Sequence, residues 1–299
     1  MFNSKYIKQV GILNFFFRNL ILKFIIFIKN YHSYKTTTGN KYKINKWDPS
    51  AAEVFITKCF TDWGNEYLFL DSLKEKENNL FIDVGCHTGY YPILFYQYFS
   101  RIIGFEPNSK CIHELDKLEN EKFACYRHYV GSTEKSLLSS DSKDGYSYES
   151  KNVKLKDRQI ISQKELKQIT LDNYCANNNL TNITAIKIDV DGMDLEVLKG
   201  SEKTIEINRP SIMIENYSSK LIEFFKDKNY SLLSLSALKN CSYCLKLEEL
   251  DSYDESKWIK MVCCIPEENK KNYNDKLFNG NIFTGINKKK ILNTFFLNK

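Results

Sequence analysis

A strand–turn–helix pattern at residues 80–95 constrains the fold of this chain more than any other feature. The apolar run Leu-Phe-Ile-Asp-Val is followed by Gly85 and Gly89 and then by a helix-like apolar pattern. Buried strands that lead through a tight turn into a helix have this pattern in α/β proteins. We expect Gly85 to let a ligand approach the backbone and Gly89 to let the helix pack close to the strand. The positive end of the helix would favour an anionic or carboxylate-bearing ligand.

Two acids end neighbouring predicted strands. Asp83 lies at the end of the first strand, and Glu106 ends the strand at 101–106, which Pro107 stops. A carboxylate at Asp83 repels a pyrophosphate but suits an ammonium group, and Glu106 is placed to accept hydrogen bonds from both ribose hydroxyls. This pair favours S-adenosylmethionine over NAD, whose Gly-x-Gly-x-x-Gly fingerprint the chain lacks. The residues predicted to bind the cofactor are Asp83, Gly85, Cys86, His87, Gly89, Glu106, Tyr129 and Val130, the last two as local candidates for contact with the adenine.

A second group of acids follows the strands predicted at 183–189 and 211–215. Its members are Asp189, Asp191, Asp194 and Glu215. Clustered acids are electrostatically costly unless they meet a cation, a proton or hydroxyl donors. Three roles therefore compete, namely a general base, a Mg²⁺ site and the binding of substrate hydroxyls. We predict that Asp189 and Glu215 take part in the reaction, with Asp191 as a third candidate, and that Asp194 caps the helix that begins near Met193.

Two alternatives stay open beside this assignment. Asn216 directly after Glu215 makes a Mg²⁺ site conceivable, although no residue is assigned as a metal ligand. His87 and His128 are weaker candidates for the base, since histidine titrates near neutral pH.

Alternating strands and helices predict an α/β fold. Strands are expected at 80–84, 101–106, 123–130, 183–189 and 211–215, with a helix at 163–178 before the fourth of them. Right-handed crossovers between such strands give a Rossmann-like, doubly wound and mostly parallel sheet with helices on both faces. Residues 131–160 are polar, have no clear period and are interpreted as a surface insertion or lid at the ligand-binding edge.

The motifs taken together in their order resemble the FkbM family of S-adenosylmethionine-dependent methyltransferases. The resemblance covers roughly residues 50–266 and adds Thr-Leu-Asp at 170–172, the run from Ile183 to Gly200, and Arg-Pro-Ser-Ile-Met-Ile-Glu at 209–215. The family usually has Glu where this chain has Asp191 and Asp194, which draws each carboxylate back by about one methylene. The resemblance implies a class I sheet of about seven strands with an antiparallel edge strand, and methylation of hydroxyls in sugars or secondary metabolites.

The predicted domains are residues 1–50, residues 51–266 with a helical lead-in at 51–79, and a basic extension at 267–299. Residues 9–28 predict an amphipathic helix, and residues 30–50 a linker. Asn14, Arg18, Asn19 and Lys23 recur at helical spacing, which is expected to leave Phe15, Leu22, Ile25 and Ile26 on the other face. Such a helix either lies in a membrane interface or packs on the catalytic domain or a partner.

Composition bounds the remaining possibilities. Nine cysteines among 299 residues predict a reduced, cytoplasmic protein, peripheral at a membrane if the N-terminal helix binds one. A zinc site at Cys241, Cys244, Cys263 and Cys264 is disfavoured because adjacent strand residues point to opposite faces. The net charge of +6 is spread out, and no base-flipping signature is present, so nucleic acid is not an expected partner.

The sequence therefore predicts an S-adenosylmethionine-dependent O-methyltransferase that acts on a hydroxyl of a sugar, glycan or small metabolite. One alternative is a catalytically silent, membrane-associated scaffold that keeps the fold. The other is an NAD-dependent Rossmann oxidoreductase, which Asp83 and the missing glycine disfavour.

Overall fold

The computed structural model describes residues 11–29, 31–35, 41–45, 64–73, 77–142, 147–149, 160–238 and 241–270, together with positions 52, 55, 56 and 62. The chain divides into two compact units. The first consists of residues 1–72 and 217–299, and the second of residues 73–216.

The helices and strands follow in chain order. The N-terminal part of the first unit contains α1 (Ile12–Lys29), β1 (Tyr31–Lys35), β2 (Lys41–Asn45) and α2 (Asn65–Asp71). The second unit contains β3 (Leu80–Val84), α3 (Tyr90–Phe95), β4 (Arg101–Phe105), α4 (Ser109–Leu115), β5 (Phe123–Tyr126), β6 (Tyr129–Val130), β7 (Lys135–Ser142), β8 (Ser147–Glu149), β9 (Ile160–Ile169), α5 (Leu171–Asn177), β10 (Ile183–Ile188), α6 (Asp194–Lys199), α7 (Glu202–Asn208) and β11 (Ser211–Ile214). The first unit then resumes with α8 (Ser219–Phe225), β12 (Tyr230–Leu238), β13 (Cys241–Glu249), β14 (Lys257–Trp258) and β15 (Val262–Pro266).

The second unit is built on a parallel sheet in the order β11-β10-β3-β4-β5. Every residue of β3, β10 and β11 is buried, which explains why these strands are continuous apolar runs. The chain winds from β3 outward to β5 and then returns to β10 on the other side of β3. Right-handed crossovers place α3 and α4 on one face and α5 to α7 on the other. The doubly wound, mostly parallel α/β prediction is confirmed.

Two predictions for the region between β5 and β10 are wrong. The strand expected at 123–130 ends at Tyr126, and β6 belongs to a separate sheet in the order β6-β9-β7-β8. The helix expected at 163–178 is a strand up to Ile169, and α5 starts only after Thr170, whose side chain accepts a hydrogen bond from the Asn173 amide. Antiparallel pairing with β7 overrides the helical propensity of the Lys, Glu and Gln residues in this segment. Within the predicted insertion at 131–160, β7 and β8 are strands, and residues 143–146 and 150–159 lie outside the described residues.

The first unit contains antiparallel strands at its C-terminal end. β12 pairs with β13, β14 and β15, and the side-chain oxygen of Asn65 at the start of α2 accepts a hydrogen bond of 2.8 Å from the amide of Leu235. The prediction of an antiparallel pair among the last strands is confirmed, because β12 and β15 pair in that way. β13 was not predicted, since its Lys and Glu residues obscure the apolar alternation of a strand. β1 and β2 form an antiparallel hairpin inside the segment expected to be a linker.

The predicted N-terminal helix is observed as α1, but its predicted faces are wrong. Phe15 and Leu22 are 5 % and 3 % exposed, so they lie on the side of the helix that is packed against protein. Arg18 lies on the same side, because it hydrogen-bonds the Ile56 carbonyl. Within the part of the chain that the structure describes, no helix has the length and apolar character needed to cross a membrane.

The predicted domain limits at 50 and 266 stay predictions, and residues 271–299 lie outside the described residues. Cys263 and Cys264 are buried in β15, where burial holds the pKa of each thiol well above its usual range. The side chains of Cys241 and Cys244 are outside the described set. Among described residues, no cluster of His, Cys, Asp and Glu could hold a metal ion.

Candidate active site

The candidate site lies at the carboxyl ends of β3 and β10, where the winding direction of the sheet reverses. Open α/β sheets bind ligands at this switch point. Both strands end in acids, Asp83 within β3 and Asp189 directly after β10, and the amide of Asp189 donates to the carbonyl of Val84 at 3.1 Å. The fold thus brings the predicted cofactor turn and the predicted catalytic acids to one place.

Gly85 is required by the protein itself rather than by a ligand. Its φ is +79°, and a Cβ there would lie 1.9 Å from the carbonyl oxygen of Asp189. The amides of Gly85 and Cys86 both donate to the Phe105 carbonyl, at 2.9 and 3.2 Å. The loop after β10 is thus close enough to require a glycine here, and the approach of a ligand to this backbone stays a prediction.

Gly89 also has a different role from the one expected. Its φ is +85°, and a Cβ would meet side-chain atoms of Leu115 and Leu118, each at 3.0 Å. The glycine thus permits a left-handed turn and close packing against the end of α4, rather than against a strand. Since α3 has only six residues, its N-terminus gives little support to the expected anion site.

Glu106 ties the glycine turn to the end of β4. The side chain is 7 % exposed, and its two oxygens accept hydrogen bonds from the amides of His87 and Asn108, both at 2.9 Å. Burial raises the pKa of Glu106, while His87 and the backbone amides oppose that rise. Each oxygen keeps a second lone pair, so the position and the chemistry suit the predicted contact with a ribose, which stays a prediction.

Lys187 is the residue of this site that sequence reasoning missed. Its ammonium group lies 3.4 Å from Oδ1 of Asp83 and 3.3 Å from Oδ2 of Asp189, and it donates to the Gly85 carbonyl at 2.8 Å. The side chain is only 3 % exposed, and its Nζ also lies 5.1 Å from the ring centre of Tyr91. A lysine inside the fully buried strand Ile-Thr-Ala-Ile-Lys-Ile was the signal that could have revealed it.

Asp83 faces Lys187 and is inaccessible to solvent. Its side chain is 0 % exposed, so the expected direct contact with a cofactor ammonium has no open surface in this structure. Burial raises the pKa of Asp83 to about 6, although Lys187 opposes the rise and Asp189 adds to it. The direct contact stays a prediction, and the role that the structure supports is the neutralisation of a buried lysine.

This raised pKa predicts a specific dependence of stability on pH. Asp83 binds its proton more tightly when folded, so its favourable contribution is complete below pH 3.8 and is lost as the pH rises through about 6. The loss amounts to roughly 3 kcal/mol at most. In urea titrations, the Asp83→Asn variant should lose less free energy of unfolding than the wild type between pH 4 and pH 6. If the free energy of unfolding changed equally with pH in the two proteins, the pH dependence would not come from Asp83.

Asp189 and Glu215 form the pair expected from sequence. Asp189 is 36 % exposed and Glu215 is exposed. Burial opposes the ionisation of Asp189, but Lys187 and the side chain of Glu215 outweigh it, so the pKa of Asp189 lies below its ordinary value. A solvent-accessible carboxylate that is held ionised is equipped to accept a proton.

The two remaining acids have different surroundings. Asp191 is exposed and has a φ of +50° in the turn before α6. Asp194 is 1 % exposed, and its Oδ1 accepts a hydrogen bond of 3.2 Å from the amide of Val190. Asp194 is thus structural, as expected, but it closes the loop before α6 instead of capping the helix.

The other predicted site residues are placed as follows. Cys86 is buried with its sulfur 3.3 Å from that of Cys125, and burial holds the pKa of the Cys86 thiol well above its usual range. Tyr129 and Val130 lie in β6, so they do not extend the third strand of the main sheet. Burial and Lys167 lower the pKa of His128. Contact of these residues with a cofactor stays a prediction.

The comparison with protein families decides the assignment. The family model described as Methyltransferase FkbM domain matches residues 83–243, more than half of the chain and the whole of the site described above. The chain belongs to the FkbM methyltransferase family. The predicted family and the predicted class of enzyme are confirmed, and the assignment removes the NAD-dependent oxidoreductase alternative.

Solved structures offer more distant likenesses. The FkbM methyltransferase from Methylobacillus flagellatus KT aligns at 13 % identity with a TM-score of 0.42, over 73 % of this chain and 55 % of that protein. TrmK from M. capricolum, solved with S-adenosyl-homocysteine, aligns at 12 % identity with a TM-score of 0.35, over 71 % of this chain and 72 % of the other. This chain therefore matches little more than half the length of the first protein. Among curated protein sequences, none matches this chain.

Proposed function

We propose that this FkbM family member transfers the methyl group of S-adenosylmethionine to a hydroxyl of a sugar, a glycan or a small metabolite. The observation that carries the proposal is the solvent-accessible carboxylate of Asp189, which lies 3.3 Å from the buried ammonium of Lys187 and beside the glycine turn at the switch point. An alcohol becomes a strong acid only as its oxygen is methylated, so a nearby carboxylate suits this acceptor.

The residues present fit an adenosyl sulfonium cofactor. Glu106 offers buried carboxylate oxygens at a strand end beside the turn, which suits the two hydroxyls of a ribose. Asp189 and Glu215 add negative charge near the switch point, which suits a sulfonium cation. When bound, the cofactor supplies an electrophilic methyl group, and the chain's own residues supply position and proton transfer.

Asp189 is proposed as the general base. Its carboxylate would accept the proton of the acceptor hydroxyl as that oxygen takes up the methyl group that a bound cofactor would supply. Lys187 and the side chain of Glu215 favour the ionised form of this carboxylate. The alternative of a Mg²⁺ ion that activates the hydroxyl has no support in the described residues, among which no group of His, Cys, Asp and Glu could hold a metal ion.

The cofactor assignment predicts tight binding of S-adenosylhomocysteine in a calorimetric titration. Glu106→Ala should weaken that affinity roughly 10- to 100-fold, as expected for lost hydrogen bonds to a charged group. Glu121→Ala, which removes an exposed glutamate outside the site, should bind as the wild type does. A folded wild-type protein that binds no S-adenosylhomocysteine would overturn the assignment.

A catalytically silent scaffold is the second candidate. The ion pair of Lys187 with Asp83 favours it, because the acid expected to bind the cofactor's ammonium is already neutralised. Binding of S-adenosylhomocysteine together with no methyl transfer to any tested sugar, glycan or small alcohol would favour the scaffold. Turnover that depends on Asp189 would exclude it.

The acceptor and the location belong to the same proposal. We expect a small or saccharide acceptor rather than nucleic acid, since the chain's basic residues form no dense patch near the predicted site motifs. We also propose a cytoplasmic location, where S-adenosylmethionine-dependent methylation of a metabolite takes place.

A further inference from the structure

The outward side of α1 is a largely apolar surface, with the exposed Lys23 near one edge of it. Leu13, Phe17, Leu20, Phe24 and Phe27 are each 64–86 % exposed. Together with Ile12, Phe16 and Ile28 they make eight exposed large apolar side chains. At 3.6 residues per turn, all eight fall within a sector of about 160°. We call this sector the apolar face of α1. Monomeric soluble proteins rarely expose a contiguous apolar face of this kind.

The opposite side of α1 is fixed to the first unit. Phe15 and Leu22 are buried, and Arg18 donates a hydrogen bond of 2.8 Å from its Nη1 to the carbonyl of Ile56. These contacts hold the helix by one side over residues 15–22. The direction in which the apolar face points is therefore set by packing, and whatever covers the face must approach the helix from its side.

Charge identifies the kind of partner. The first 47 residues contain nine Lys or Arg and no Asp or Glu. The chain as a whole has 43 basic and 37 acidic residues, which leaves 34 basic and 37 acidic residues after position 47 and a net charge of −3 there. Excess positive charge is thus strongest in the N-terminal segment that contains α1, with a smaller excess in the basic extension at 267–299, and Lys23 and Lys29 of the helix are exposed. This local concentration refines the expectation that the charge is spread out.

We propose that the apolar face of α1 binds the surface of an anionic lipid bilayer, with the helix parallel to the membrane plane. Apolar side chains enter the boundary between headgroups and acyl chains, and Lys23 near one edge of the face, together with other basic residues of the N-terminal segment, contacts anionic headgroups. A second copy of the chain fits less well, because pairing two such faces would bring two highly basic segments together. The proposal concerns the first unit and stands independently of the methyl acceptor.

The experiment is vesicle flotation of the full chain. The protein should float with phosphatidylcholine vesicles that contain about 30 % phosphatidylserine, and its affinity for pure phosphatidylcholine should be at least about tenfold lower, since each lysine near the surface contributes about fivefold. The triple variant Phe17→Ser, Leu20→Ser, Phe24→Ser should lose at least about tenfold in affinity for the anionic vesicles. Ile207→Ser, which removes an apolar side chain that is 80 % exposed in α7, is the matched control and should float as the wild type does.

Further readouts keep the proposal falsifiable. Lys23→Glu with Lys29→Glu should weaken binding to anionic vesicles, and so should high salt. Retained S-adenosylhomocysteine binding or an unchanged circular dichroism spectrum shows that each variant is folded. A wild-type protein that stays with the soluble fraction would overturn the proposal, as would a triple variant that floats normally. So would a wild-type dimer in sedimentation that the triple variant abolishes without any vesicle binding, since that result assigns the face to a second copy.

Discussion

Replacing Lys187 by methionine is expected to lower the free energy of unfolding by about 3–5 kcal/mol at pH 7, because it leaves Asp83 buried without its counter-charge. Both side chains are almost inaccessible, at 3 % and 0 % exposure, so solvent does little to screen the pair. Urea titration followed by circular dichroism measures the change. At pH 5 the loss should be smaller, since Asp83 has a pKa raised to about 6 and can take up a proton instead.

A double variant separates the charge effect from packing. Lys187→Met combined with Asp83→Asn should be clearly more stable than the sum of the two single losses predicts, because neither partner then carries an unpaired buried charge. The control is Lys199→Met, which removes a lysine that is 58 % exposed and paired with Glu196. That variant should change stability by less than about 1 kcal/mol. Additive losses at Lys187 and Asp83 would show that their charges do not interact.

Asp189→Asn is expected to lower the rate of methyl transfer by about 10²- to 10⁴-fold, the usual contribution of a positioned general base. Affinity for S-adenosylhomocysteine should change little, because the substitution keeps the size of the side chain. Since Lys187 and Glu215 hold the pKa of Asp189 below its ordinary value, wild-type activity should persist at a lower pH than an ordinary aspartate base would allow. Initial rates measured with a hydroxyl acceptor against pH test both points.

Two comparisons make this second prediction specific. Asp116→Asn replaces an exposed aspartate outside the site and should leave the rate unchanged. Asp191→Asn should have a smaller effect than Asp189→Asn, since Asp191 lies in an exposed turn. A rate that falls with Asp191→Asn but not with Asp189→Asn would move the base to Asp191 and contradict the proposal.

Much of the candidate site was predictable because its residues mark strand ends. Asp83, Glu106, Asp189 and Glu215 each end or follow an apolar run, and parallel strands in a doubly wound sheet bring such ends to one edge. In the structure the side chain of Glu215 acts on Asp189, and the side chain of Glu106 accepts a hydrogen bond from the His87 amide in the glycine turn. Lys187 was not predicted as a site residue, because the prediction considered only the residues at strand ends and Lys187 lies inside β10.

Other expectations failed because local pattern does not reveal a distant partner. The segment Ile160–Ile169 is rich in helix-forming residues but pairs with Lys135–Ser142, and that pairing supplies its backbone hydrogen bonds. Gly85 and Gly89 were predicted to bind the cofactor, which stays a prediction, and the atoms that an added Cβ would meet belong to Asp189 and to Leu115 and Leu118. Only the folded chain shows which neighbour occupies that space.

The sequence alone determined the parallel α/β architecture and the methyltransferase family of this chain. The architecture follows from local patterns, since apolar runs and glycine turns mark strands and turns in consecutive residues, and the family follows from the resemblance that the ordered motifs carry. The tertiary structure alone decided that Asp83 neutralises Lys187 and that α1 directs Leu13, Phe17 and Phe24 outward while it buries Phe15 and Leu22. Asp83 and Lys187 are about 100 positions apart in the sequence. Contacts between such distant residues produce no periodic pattern in the sequence, so they could not be predicted from it.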